Sequence, residues 1–84
     1  MVARDRLIEA YLGVLRSTVR GSPPIGPKTS VIDSGLVDSF ALAEVIAKLE
    51  AATAMRLPIE RLSPGDFDSA ELLASRLANL GLVS

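Results

Sequence analysis

The stretch Val31-Ile32-Asp33-Ser34-Gly35-Leu36-Val37-Asp38-Ser39-Phe40 decides the fold, because a long run without periodicity ends there and an amphipathic helix begins. Backbone N–H groups in the first turn of a helix have no partner within the helix, and the aligned peptide dipoles favour negative charge beside them. A serine hydroxyl at such a corner sits where a phosphate is welcome. The plainer role is capping: Asp38 and Ser39 are both preferred N-cap residues, and a cap contributes about 1 kcal/mol. The local sequence leaves both roles open.

Downstream, the spacing predicts a helix from Ser39 to about residue 53. At 100° per residue, Leu42, Val45, Ile46, Leu49 and Thr53 fall on one stripe, and Phe40, Glu44, Ala47, Lys48 and Ala51 fall opposite it. A phenylalanine facing water one residue after the candidate hydroxyl is the outlier in that pattern. Its position beside the site points to contact with a partner.

Upstream, residues 20–38 carry Gly21, Pro23, Pro24, Gly26, Pro27 and Gly35 with no helical or strand repeat. Loops beyond about 12–15 residues are uncommon in compact domains and are usually functional or disordered. Val31, Ile32, Leu36 and Val37 are expected to pin the second half to the core, leaving residues 21–28 mobile. An interdomain linker is a poor alternative, because neither flanking piece is large enough to fold alone.

Before the loop, Leu7, Ile8, Tyr11, Leu12, Val14 and Leu15 recur at helical spacing from residue 3 to about 18, with Asp5, Arg6, Glu9 and Arg16 opposite. Gly13 lies on the polar side, either as a close approach or merely tolerated. The helix should stop before Gly21-Ser22-Pro23-Pro24. In the C-terminal part, Leu57, Ile59 and Leu62 are expected to turn inward along residues 55–62. Ser63-Pro64-Gly65-Asp66 reads as a one-turn helix start. Asp68-Ser69-Ala70-Glu71 reads as a capping-box-like Asp-x-x-Glu, starting a last helix that runs to about Leu80 with Leu73, Leu77 and Leu80 inward and Gly81 as its stop. The elements predict an all-α fold over residues 1–84: one domain, an antiparallel four-helix bundle of three main helices, a short third helix and a long loop between the first two. Leu7, Leu15, Leu42, Ile46, Leu49, Leu73 and Leu77 are the expected core.

Composition bounds the chemistry. Eighty-four residues make one small domain, and with no cysteine and no histidine it has no disulfide, no thiolate metal site and no imidazole base. Hydrophobic residues are 49% of the chain, yet only Tyr11, Phe40 and Phe67 are aromatic, so the core is expected to be aliphatic. A net charge of −1 gives no electrostatic case for nucleic acid. No apolar run is long enough to span a bilayer and no signal-peptide core is evident, so a cytoplasmic protein without membrane contact is expected. Catalysis by Ser39 lacks a histidine and a preceding strand. Gly35-x-x-x-Ser39 also departs from the Gly-x-Ser-x-Gly elbow, and Lys28 and Lys48 are poorly placed as bases, so no catalytic residue is assigned. Asp33, Asp38 and Glu44 are scattered carboxylates and are not expected to hold a metal.

Gly35-Leu36-Val37-Asp38-Ser39-Phe40-Ala41-Leu42, with Glu44-Val45-Ile46, Lys48-Leu49-Glu50, Leu57-Pro58-Ile59, Leu62-Ser63-Pro64 and Phe67-Asp68-Ser69, resembles the acyl and peptidyl carrier protein family, whose signature is Asp-Ser followed by a large apolar residue. The resemblance covers most of the chain. It implies that Ser39 carries a 4′-phosphopantetheine arm from coenzyme A, attached by a phosphotransferase specific for that arm, and that the arm holds biosynthetic intermediates as thioesters. It implies a monomeric, non-catalytic carrier whose partners are a phosphopantetheinyl transferase, a cargo-loading ligase or acyltransferase, and synthase, tailoring or thioesterase enzymes. Carried over by position, Asp38, Phe40, Glu44 and Lys48 form the partner-binding surface. Lys48 departs from the acidic face expected of fatty-acid carriers, so recognition should lean on shape and apolar contact. The wording around Ser39 looks more like stand-alone carriers of specialised polyketide, fatty-acyl or nonribosomal peptide metabolism, with an aminoacyl carrier loaded by an adenylating enzyme as the alternative. An unmodified helical adaptor binding through Phe40 is a further one.

Overall fold

The computed structural model describes residues 2–21 and 23–84; Ser22, part of the expected helix stop, lies outside them. The described residues fold as an all-helical domain with three α-helices, α1 (Arg4–Thr18), α2 (Ser39–Thr53) and α3 (Ala70–Asn79), and no strand. Both α2 and α3 pack on α1. The reason is the stripe on α1, from which Leu7, Tyr11, Leu12, Val14 and Leu15 are buried. They meet Leu42, Val45 and Leu49 of α2 and Ala70, Leu73, Ala74 and Leu77 of α3 in one core. Of the expected core residues only Ile46 falls short, being half-buried at its edge.

Tyr11 occupies the middle of this core with no exposed surface. A buried phenol needs a partner for its hydroxyl, and Tyr11 donates to the Phe67 carbonyl at 2.6 Å. Its ring meets that of Phe67 edge-on at 6.4 Å.

Gly13 is exposed, and a Cβ added there would meet nothing within 4 Å. It is therefore no close approach. Gly13→Ala is expected to stabilise the domain by about 0.5–1 kcal/mol, since alanine limits the unfolded chain and fits a helix interior. Urea denaturation would show it as a higher midpoint at unchanged slope.

Where the sequence suggested one short helix before α3, there are two single-turn 3₁₀ helices, Ile59–Arg61 and Pro64–Phe67. Pro58, which cannot supply a backbone N–H, stands just before the first. That turn carries Ile59 outward, 47% exposed, against the expectation that it points inward. Leu57 is buried as expected, and its N–H is taken by the Glu50 carboxylate at 2.7 Å, which tacks the connection back onto α2. The second turn starts at Ser63, whose N–H donates to Asp66 Oδ2 at 2.9 Å, while Asp66 Oδ1 pairs with Arg76 Nε of α3 at 3.1 Å.

At the end of α3, Gly81 N–H donates to the Ala78 carbonyl and Leu82 N–H to the Leu77 carbonyl, both at 3.0 Å. This paired closure needs a left-handed residue, which Gly81 supplies with φ +78°. The chain then runs back to its own start. Val2 and Val83 form a parallel bridge, and Ser84 N–H donates to the Val2 carbonyl at 3.1 Å.

No helix among the described residues is long and apolar enough to cross a membrane.

Candidate functional site

Asp38 has extended backbone angles (φ −89°, ψ −179°), and its side chain accepts the Ala41 N–H at 2.8 Å. Its carbonyl accepts the Leu42 N–H at 2.8 Å. Asp38 is thus the N-cap of α2, which decides which of Asp38 and Ser39 caps the helix. Ser39 is the first helical residue and is exposed, and its hydroxyl has no hydrogen-bond partner among the described residues. The N–H groups of Ser39 and Phe40 also meet no acceptor there. A free hydroxyl therefore stands beside two open donors at the positive end of a 15-residue helix.

The loop leading to Ser39 is held by a residue on the far side of the sequence. Asp68 Oδ1 accepts three hydrogen bonds: from Ser30 Oγ at 2.8 Å, from Ile32 N–H at 2.9 Å and from Asp33 N–H at 3.0 Å. Its backbone carbonyl takes the Val31 N–H at 2.7 Å. The segment then closes on itself through Val37 N–H to the Val31 carbonyl at 2.8 Å, around Gly35 at φ +82°. Val31 and Val37 are buried as expected and Ile32 is half-buried. Leu36, expected to pin the loop, instead points outward with 38% of its surface exposed, because it lies inside the closed turn between the two buried valines.

The first half of the loop also departs from expectation. Residues 21–28 are expected to be mobile, but Ile25 and Pro27 are anchored: Ile25 is buried, its carbonyl accepts from Arg16 Nη2 at 3.0 Å, and the Pro27 carbonyl accepts the Glu71 N–H at 2.9 Å. Open clefts run along this segment, lined by Arg16, Pro23, Pro24 and Thr29, and by Lys28 and Glu71. Ser39 and Phe40 line neither.

Asp68 is also a correction to the reading of α3. The expected Asp68-x-x-Glu71 capping box does not form: Ser69 is the N-cap, its hydroxyl accepting the Leu72 N–H at 3.1 Å, and the Asp68 carboxylate turns to the loop. With Asp and Ser adjacent, either could have capped, and only the position of residues 30–33 decides between them. The Asp33 N–H chiefly, with the Ser30 hydroxyl and the Ile32 and Val31 N–H groups, holds the Asp68 carboxyl below its ordinary 3.8, while partial burial works against them. The folded value is depressed, so the stability Asp68 contributes is whole above the unfolded pKa and is lost as pH falls through the folded one. Asp68→Asn is therefore expected to lower the thermal midpoint by a constant amount above about pH 5, with the gap closing below about pH 4. A gap unchanged at acid pH would contradict this.

On the outward face of α2, Phe40 is 91% exposed and Ala43, Glu44, Ala47, Lys48 and Ala51 are exposed beside it. Glu44 and Lys48 pair with each other at 2.9 Å, and Lys48 Nζ also reaches Thr18 Oγ1 at 3.5 Å. Their charges cancel locally, and an exposed pair of this kind contributes only about 0.3–0.5 kcal/mol. The outward face of α2 along Glu44 and Lys48 is thus nearly neutral, with Phe40 at its head and the exposed Asp38 carboxylate just before it. Of the sequence-assigned residues, the structure brings Asp38, Ser39 and Phe40 together at the helix start, and Glu44 and Lys48 follow on the same face. Among the described residues no group of three acidic side chains is placed to hold a metal ion.

No protein-family model, no curated protein and no solved structure matches the chain.

Proposed function

We propose that this chain is a carrier domain of the acyl and peptidyl carrier type, which takes a 4′-phosphopantetheine arm on Ser39 and presents tethered intermediates to partner enzymes. The observation that carries the reading is the division of labour at the start of α2: Asp38 caps the helix, and the neighbouring Ser39 hydroxyl is exposed and unengaged. A serine needed only as a cap would be bonded to the first turn. The residues fit the group, because a phosphodiester on Ser39 Oγ would carry its negative charge beside the open N–H groups of Ser39 and Phe40. The order of three α-helices with a long loop before the second also agrees with such a domain.

When bound, the arm would supply the thiol on which cargo is held as a thioester, which accounts for a chain without cysteine. The protein's own residues supply attachment and docking. Asp38 keeps the first turn of α2 wound, the two open N–H groups would hold the phosphate, and Phe40 with the locally neutral Glu44–Lys48 pair would offer an apolar contact to the transferase and to the enzymes that load or use the arm.

Incubation with coenzyme A, magnesium and a broad-specificity phosphopantetheinyl transferase, followed by intact mass analysis and fragmentation, tests the reading. One arm located at Ser39 is the expected result. Wild-type protein that stays unmodified would overturn it and favour the second reading, an adaptor that binds a partner through the exposed Phe40. Cargo, whether acyl or aminoacyl, would be read from the thioester recovered from the producing cells.

A further inference from the structure

We propose that Asp68 is a positioning residue for the modification of Ser39, holding the loop of residues 31–37 in the shape on which the transferase docks. The inference rests on the carrier reading and adds to it a second element, remote in sequence, that the modifying enzyme needs. The Asp68 carboxylate serves that loop. Among the described residues it makes no hydrogen bond to α3, whose start is capped by Ser69, and its Oδ1 gathers the Ser30 hydroxyl and the Ile32 and Asp33 N–H groups. From there the restraint passes along a short path. The Val31 carbonyl takes the Val37 N–H at 2.8 Å, both valine side chains are buried, and Val37 stands two residues before Ser39.

Between the buried valines, Asp33, Ser34, Gly35 and Leu36 are exposed as a closed turn beside the helix start. An enzyme that reaches the Ser39 hydroxyl approaches next to that turn. Ordering a loose backbone costs conformational entropy at the moment of docking. A turn already fixed by Asp68 spares that cost, so the clamp acts on binding of the carrier and leaves the chemistry at the hydroxyl alone.

Wild type, Asp68→Ala and Asp68→Asn are compared at a temperature where far-ultraviolet circular dichroism shows each to be folded. Loading from coenzyme A is measured over a range of carrier concentration, and amide hydrogen exchange is followed at Ile32 and Asp33. Asp68→Ala is expected to raise KM for the carrier roughly tenfold with kcat within about twofold, while exchange at Ile32 and Asp33 accelerates. Asn keeps an acceptor oxygen in place and should restore much of both. Should the alanine variant lose its helical signal, Ser30→Ala, which removes a single donor, takes its place and is expected to raise KM in the same direction. A folded Asp68→Ala carrier loaded with wild-type KM overturns the positioning role while leaving the carrier reading intact. A fall in kcat alone does the same. Absence of loading in the wild type removes both.

Discussion

A chain carrying Ser39→Ala is expected to fold as the wild type does and to gain no mass at all from coenzyme A and transferase. The two halves of that expectation come from one geometry. The Ser39 side chain is exposed and its hydroxyl is bonded to nothing among the described residues, so deleting its oxygen removes the proposed attachment point and no native hydrogen bond. The neighbouring residue should behave in the opposite way. Asp38→Ala deletes the acceptor of the Ala41 N–H and is expected to cost about 1 kcal/mol of stability while loading, though slower, still goes to completion. Thermal melts and intact masses on the pair separate cap from tether. If Ser39→Ala melted lower and Asp38→Ala did not, the cap would have been assigned to the wrong residue; if Ser39→Ala still took up one arm, the tether would have been.

The second large effect is at the centre of the core. Tyr11→Ala is expected to cost about 3–5 kcal/mol, the usual range for deleting a fully buried aromatic ring. Domains are commonly stable by only about 5–15 kcal/mol, and one of this size sits at the low end, so much of the variant should be unfolded at room temperature. Tyr11→Phe isolates the hydroxyl. It leaves the ring against Phe67 but strips the Phe67 carbonyl of its donor, for an expected cost of about 1–3 kcal/mol. Urea denaturation of both variants measures the difference, and equal costs would mean that the ring contributes nothing beyond its hydroxyl. Burial chiefly, and the negative field of Asp68 in addition, push the Tyr11 phenol well above its ordinary value of 10.0. The folded value is raised, so the stability tied to Tyr11 is whole below about pH 10 and falls as pH rises toward the folded value. The phenylalanine variant should lack that alkaline loss.

What the sequence made legible follows from the range of the forces involved. The stripes on α1, α2 and α3 depend on spacing within one helix, and Leu7, Leu15, Leu42, Leu49, Leu73 and Leu77 are buried as the periodicity requires. The extent of α2 and the exposure of Phe40 could be read for the same reason. The residues misread are those whose surroundings come from elsewhere in the chain. Asp68 carries a local cap signal, but residues 30–33 arrive from more than thirty positions away and claim its carboxylate. Ile25 looks like a lone apolar residue among prolines and glycines, yet it is buried. Ile59 and Leu36 are apolar and so expected to face the core, but a 3₁₀ turn and a closed loop set them outward. At the candidate site, adjacency alone could not say which of Asp38 and Ser39 caps; one hydrogen bond does.

The bridge between Val2 and Val83 has a topological consequence. Because entry and exit lie side by side, a polypeptide fused to both ends would leave from a single spot, and the domain would hang from it as a pendant instead of lying in line with its neighbours. A linker of only a few residues could then splice the two ends into a ring.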